Sequence, residues 1–264
     1  MVGSADGATD YDGPVGRAYP QGRHTDPRIA ARIMAAIGDA ETILNVGAGT
    51  GSYEPADREL VAVEPSATMR AARPEGAAPV IDAKAESLPF DDDSFDASMA
   101  CITIHHWDDP AAGLREMRRV TKGPVVILTL DIPHHVNWQR DYFAPLMAIE
   151  RRRFPSPAEI APILGRRNRI DTLRTPIDCQ DGFVDAFWAR PDAFLDPQVR
   201  AAQSVWGCLD PGVEEEVIAH LEADLESGVW EAAHGHLRTH ADYDGALRLI
   251  VDGANVVEDF PRRI

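Results

Sequence analysis

The sequence predicts an α/β protein: a doubly wound, mostly parallel seven-stranded sheet with an inserted helical cap. Three observations carry that prediction. Short apolar runs with β-branched content alternate with amphipathic helical patterns, which is how parallel sheets wrapped by helices read in sequence. Asp-Pro stands before four helical patterns, at Asp26-Pro27, Asp109-Pro110, Asp196-Pro197 and Asp210-Pro211. The alternation breaks over residues 132–168 and 177–241, where most of the tryptophans and several prolines gather, and these stretches read as a mainly helical insertion.

In chain order, residues 1–25 are rich in Gly, Asp and Pro without periodicity and read as a loose lead-in. At Asp26-Pro27 the aspartate can cap free N–H groups, and proline loses nothing at the first helical position. That helix carries Ile29, Ile33, Met34 and Ile37 on one face and stops at Gly38. Apolar runs at 42–46, 60–63, 79–81 and 95–104 suit strands buried on both faces. The helix opened by Pro110 carries Leu114, Met117 and Val120 and stops at Gly123, before a strand at 125–130. Within the cap, the last Asp-Pro opens a helix carrying Val213, Val217, Leu221 and Leu225 and ending near Gly228. Strands at 170–175 and 245–251 then close the core, in segments 169–176 and 242–264.

At roughly 100–200 residues per domain, 264 residues make one large α/β domain or a core with an embedded cap. With 26 basic and 43 acidic residues, the net charge of −17 repels phosphate backbones and anionic lipids, so neither nucleic acid nor a membrane is expected as partner. No apolar run approaches the ~18 residues of a membrane span. Residues 1–10 show no signal-peptide pattern. Three dispersed cysteines (Cys101, Cys179, Cys208) without a Cys-x-x-Cys motif fit a reducing cytoplasm and give neither a disulfide framework nor a zinc site.

The most informative stretch is Ile43-Leu44-Asn45-Val46-Gly47-Ala48-Gly49-Thr50-Gly51, an apolar strand running into Gly-x-Gly-x-Gly. Such glycines permit positive φ and let a ligand approach the backbone, although glycine turns also serve ordinary packing. The next strand ends in Glu64, placed either to accept hydrogen bonds from ribose hydroxyls or simply to end a strand in solvent. The dinucleotide spacing needs glycine at position 52, where Ser52 stands, and Tyr53-Glu54-Pro55 is a poor start for a phosphate-facing helix. A nucleoside without a pyrophosphate fits better.

Further motifs follow in order: Val63-Glu64-Pro65-Ser66, then Ala85-Glu86-Ser87-Leu88-Pro89-Phe90 with Asp91 to Asp96, then His105-His106-Trp107, then Leu114-Arg115-Glu116-Met117. Over residues 26–131 the sequence thus resembles the class I S-adenosylmethionine (SAM)-dependent methyltransferases of small molecules, similar to the ubiquinone and menaquinone enzymes. The resemblance implies a Rossmann-like fold with 26–131 as the SAM-binding core. It places Gly47 and Gly49 under the methionine part of SAM and Glu64 at the ribose, with Asn45, Ala48 and Pro65 also among the cofactor-binding residues. Ala85 and Glu86 would meet the adenine, and the backbone near Cys101 the amino-acid end. Two residues depart from the pattern: Asn45 stands where strand 1 usually ends in an acid, and Lys84 where an aspartate usually meets adenine.

Methyl transfer needs alignment, exclusion of water and sometimes a base. Substrate is expected at the carboxyl ends of strands 4 and 5, so the candidate bases are His106, His105, Asp131 and His134. A histidine pair after strand 4 also serves as helix cap or packing. No metal is expected, because adjacent histidines diverge and no Cys or carboxylate cluster has metal spacing, at the strand ends or at His234, His236 and His240. The cap aromatics Trp138, Phe143, Phe183, Phe187 and Trp188 read as core or as a pocket lining. The expected function is transfer of a methyl group from SAM to O, N or activated C of a small molecule in secondary metabolism. The alternative is a SAM-binding protein of the same fold that has lost methyl transfer, as a cyclase or isomerase would.

Overall fold

A computed structural model describes residues 14–253 except 136, 166 and 211, and leaves out the side chains of residues 14, 15, 17 and 18. The strands are β1 (Thr42–Val46), β2 (Glu59–Val63), β3 (Val80–Ile81), β4 (Ala97–Cys101), β5 (Val125–Leu130), β6 (Asn168–Thr172), β7 (Thr175–Pro176), β8 (Asp242–Tyr243) and β9 (Leu247–Asp252). The helices are α1 (Pro14–Gly22), α2 (Pro27–Ile37), α3 (Ala67–Ala71), α4 (Pro110–Val120), α5 (Gln139–Tyr142), α6 (Ala144–Arg153), α7 (Pro157–Leu164), α8 (Pro197–Ala201), α9 (Val213–Glu226) and α10 (Val229–His234). The seven-stranded sheet runs β3-β2-β1-β4-β5-β9-β6, and β7 pairs separately with β8.

The first five strands are parallel, and β9 is antiparallel to both β5 and β6. The chain moves outward from β1 to β3, then returns to β4 on the other side of β1. That reversal opens a crevice at the carboxyl ends of β1 and β4, the place where open α/β sheets bind ligands. Near-continuous apolarity along the strands reflects two covered faces. Ile43 joins the cluster of Ile29 and Ile33 from α2, while its neighbour Leu44 joins Leu114 and Met117 from α4.

Three of the four Asp-Pro pairs start helices with the aspartate as cap: Asp26 accepts from Arg28 N, Asp109 from Ala112 N and Asp196 from Gln198 N. Asp26 is fully buried and also accepts from the Arg28 guanidinium and Gln180 N. Burial opposes its charge, but these hydrogen bonds win and lower its pKa to about 2.

Several boundaries differ from the sequence reading. Residues 14–22 form helix α1, within the segment read as a loose lead-in, and α1 packs against α8 and α3. Residues 1–13 and 254–264 lie outside the described residues. The fourth helix starts at Val213 instead of at the Asp-Pro pair. Gly212 sits there in the left-handed region (φ +87), and Glu214, Glu215 and Glu216 favour the new helix start electrostatically. Helix α4 ends at Val120, because Thr121 is already extended. β4 stops at Cys101, since Ile102 takes φ +49 and residues Ile104–His106 form a 3-10 turn. Trp138, Phe143, Phe194, Trp206 and Trp230 bury one another edge-on, so most of the cap aromatics are core. Of Trp138, Phe143, Phe183, Phe187 and Trp188, Phe183 alone lines the small chamber beside His106.

Candidate active site

A cavity of about 300 Å³ lies at the carboxyl edge of β1, β2 and β4. Asn45, Gly47, Ala48 and Gly49 line it from the end of β1, and Glu64 and Pro65 from the end of β2. Ala85 and Glu86 line a third side, and Cys101 the fourth, at the end of β4. All nine residues picked out for the cofactor therefore face one space.

The glycine loop is shaped by backbone bonds. Gly47 N and Ala48 N both donate to Val63 O, at 2.8 and 3.0 Å, which folds the loop over the end of β2. Gly47 and Gly49 have φ of +66 and +53. A Cβ on Gly47 would fall 2.2 Å from Thr103 Oγ1, so here the absence of a side chain is required twice over. Glu64 is 8% exposed; its Oε2 accepts from Gly49 N at 2.8 Å and its Oε1 from Ser66 N at 2.9 Å. Burial pushes its pKa above the usual carboxylate range, against the pull of those two N–H groups. Each oxygen retains a lone pair for a further donor.

Asn45 replaces an acid at the end of β1, and tertiary structure brings one in. Asn45 Nδ2 donates to Glu54 Oε1 at 2.9 Å, and Arg73 Nη2 bonds Glu54 Oε2 at 2.7 Å. Asn45 Oδ1 is buried with no hydrogen-bond partner among the described residues. At the opposite end, Lys84 pairs with Asp108 at 2.7 Å, both side chains exposed, and Glu86 accepts from Asp109 N. Trp107 lines the same end and leans on α4 at Gly113, where a Cβ would meet its ring at 2.5 Å.

These residues fit SAM. Glu64 offers two buried acceptor oxygens for ribose hydroxyls, and the orphaned Asn45 Oδ1 offers an acceptor for an amino group. Glu64→Ala is expected to weaken S-adenosylhomocysteine (SAH) binding at least tenfold, each lost charge-assisted bond being worth roughly 1.5–3 kcal/mol. Unchanged affinity by calorimetry would remove Glu64 from the site.

The four candidate bases separate. His106 lines the cavity, and His105 lines a smaller chamber beside it. Arg153 Nη2 lies 3.3 Å from His106 Nδ1. A guanidinium only donates, so Nδ1 is the acceptor and the neutral ring carries its proton on Nε2. Burial, then the charge of Arg153, drives the His106 pKa well below its ordinary value. His105 is likewise lowered, by burial and by His106, and stacks on Phe154 at 3.8 Å. Their surroundings thus keep both histidines neutral and weaken them as bases. Asp131 and His134 line neither space; they pair with each other at 2.8 Å across a 3-10 turn that carries His134 to the surface.

Sequence reasoning missed Tyr19, Trp107 and Asp108 as cavity walls, and Glu54 and Arg73 beneath the loop. Tyr19 comes from α1, which is fastened by Arg23: its Nε and Nη2 donate to buried Asp181, at 2.5 and 3.2 Å, and Tyr53 Oη donates to the same carboxylate. Two tyrosines and two arginines in a lead-in otherwise rich in Gly, Asp and Pro were the available signal. His234, His236 and His240 line a separate cleft with Asp141 and Asp242. Among the described residues no group of three His, Cys, Asp or Glu side chains is placed to hold a metal ion, and no helix is long and apolar enough to cross a membrane.

Comparison with known proteins adds four findings. Residues 44–128 match a family described as a methyltransferase domain. A demethylmenaquinone methyltransferase of Roseiflexus castenholzii is 34% identical over 171 residues, covering 52% of this chain and 71% of the relative. A crystal structure from Anabaena variabilis, described as a methyltransferase from an antibiotic biosynthesis pathway, is 30% identical with a TM-score of 0.82, covering 88% of this chain and 99% of that one. A rice chloroplast 2-methyl-6-phytyl-1,4-hydroquinone methyltransferase is 27% identical over 196 residues, 70% of this chain and 50% of the relative. The chain spans between about a quarter and a half of the length of several curated relatives.

Proposed function

The chain belongs to the class I SAM-dependent methyltransferases of small-molecule type, and from that membership we propose that it transfers the methyl group of SAM to O, N or activated C of a small organic acceptor. The observation that carries the reading is the gathering of nine cofactor candidates around one cavity, with the buried Glu64 carboxylate held by two backbone N–H groups. Bound SAM supplies an electrophilic methyl group on a positively charged sulfur. Glu64 holds the ribose, Asn45 the amino-acid end, and Ala85 with Glu86 the adenine. Tyr19 and Trp107 exclude water from the two ends. We read 26–131 as the core and 132–168 with 177–241 as the cap over the acceptor. The antibiotic-pathway neighbour supports a place in secondary metabolism, and the charge of −17 supports a small-molecule partner over nucleic acid. We place the reaction in the cytoplasm.

Incubation with methyl-labelled SAM and a panel of phenols, amines and carbon acids tests the reading. Label transfer with SAH release is expected; tight SAH binding with no transfer to any class would overturn it. His106→Asn is expected to cost less than about fivefold in rate, because Asn can also accept from Arg153 and donate; a general base would cost ~10²–10⁴-fold. Rates at saturating SAM check this.

A further inference from the structure

Beside the cofactor cavity lies a second chamber of about 30 Å³, and Ile102 and His106 line both, so the two adjoin. Ile102 is a β-branched residue held at φ +49, a strained backbone at the junction. The chamber mixes an apolar frame, Leu130, Phe183 and Val184, with the polar groups of Arg23, His105 and Glu150. Glu150, on α6, is 6% exposed, and its Oε2 has no hydrogen-bond partner among the described residues; its Oε1 lies 3.7 Å from Arg153 Nη1. His105 Nδ1 is also buried without a partner among them. A carboxylate oxygen accepts, and an imidazole nitrogen donates or accepts, so each can bond a group that both gives and receives a hydrogen bond. A hydroxyl on an apolar frame is such a group, and the chamber has its size.

We propose that this chamber receives the hydroxyl of a phenolic or enolic acceptor and that Glu150 Oε2 takes its proton, an inference that rests on the methyltransferase reading. The O–H bond breaks, the proton goes to the carboxylate, and the electron pair stays on oxygen. That oxygen forms the new bond to the methyl carbon, while the pair of the broken S–C bond remains on sulfur as a neutral thioether. Acidity selects the class. Burial raises the Glu150 pKa to about 7, opposed by Arg153. A phenol near ~10 lies about 3 pK units above such a carboxyl, whereas a water-like hydroxyl near ~15.7 lies about 9 above it. Facing Glu150 are Arg153 on its own helix, Arg23 beyond α1, and His105 and His106 from the turn after β4. Both histidines are held neutral by burial and arginine side chains stay charged. Glu150 is thus the member of this group that changes charge between about pH 6 and 8.

The test compares phenol with anisole, which lacks the O–H, by calorimetry on the full chain with and without saturating SAH. Phenol is expected to bind about tenfold tighter than anisole at pH 8, one charge-assisted hydrogen bond's worth, and less so at pH 6 as Glu150 protonates. In Glu150→Leu the preference should shrink to within about twofold; in the isosteric Glu150→Gln it should persist weakly and lose its pH dependence. Equal binding of phenol and anisole by the wild type, or an intact preference in Glu150→Leu, overturns the proposal. Failure of the methyltransferase reading shows differently, as absent SAH binding or absent label transfer, with the phenol preference still readable on the chain alone.

Discussion

Replacing Gly47 with valine is expected to abolish measurable SAH binding, a loss of at least ~100-fold or about 2.7 kcal/mol. The position has φ +66, where a β-branched residue is strained by roughly 1–3 kcal/mol. Its Cβ would also fall 2.2 Å from Thr103 Oγ1 and 2.9 Å from Thr103 Cγ2. Thr103 cannot retreat freely, because it follows Ile102, itself at φ +49 and bonded through its N–H to Leu128 O at 2.7 Å. The loop must therefore move, and with it the Gly47 and Ala48 bonds to Val63 that set the cavity floor. Gly49 makes a useful contrast: a Cβ there meets only the flexible Met69 Cε, at 3.2 Å, so Gly49→Val should block the ligand while melting closer to the wild type. Calorimetry with SAH and thermal melts of both variants check this. Gly47→Val binding SAH within threefold of wild type would reduce the loop to a packing turn.

The second large effect is on stability. Asp181→Ala is expected to destabilise the fold by about 3–5 kcal/mol, because it leaves the buried Arg23 guanidinium without its carboxylate. Tyr53 Oη loses its acceptor in the same change. Burial would by itself lower the Arg23 pKa, but Asp181 overcomes that and raises it well above the ordinary value. At roughly 2–4 °C per kcal/mol for a chain of this size class, the melting temperature should fall by about 10 °C. Since Arg23 follows α1, which carries Tyr19 to the cavity wall, SAH affinity should fall with it. In a double-mutant cycle, Arg23→Gln with Asp181→Ala should cost clearly less than the sum of the single changes. Additive losses would mean that the two residues do not act as a pair. Urea titrations of the four proteins provide the numbers.

Much of this protein is written locally. A strand buried on both faces shows as a continuous apolar run, and the stretches at β1, β2 and β5 came out within one residue of the structure. Asp-Pro caps at Asp26, Asp109 and Asp196 involve residues two or three positions apart, so sequence alone places those helix starts. The fourth pair misled because a left-handed glycine two residues later resets the chain, a backbone choice that Asp-Pro does not reveal. The glycine loop and Glu64 were legible for a similar reason, as they follow strand ends whose order fixes where they meet, whereas Ala85, Glu86 and Cys101 were named only through the resemblance.

The chemistry of the acceptor side was not legible. Whether His106 takes a proton depends on Arg153, which is 47 positions away in sequence, and on how deeply the fold buries the ring. The carboxylate that holds α1 in place is 158 positions from Arg23. Glu150 looks like any charged helix residue until α6 turns it inward. Sequence determined the sheet, the caps and the glycine loop, because short-range sterics and hydrogen bonding decide them. Tertiary structure decided which ionisable groups are charged, because desolvation and pairing are set by neighbours that only folding brings together.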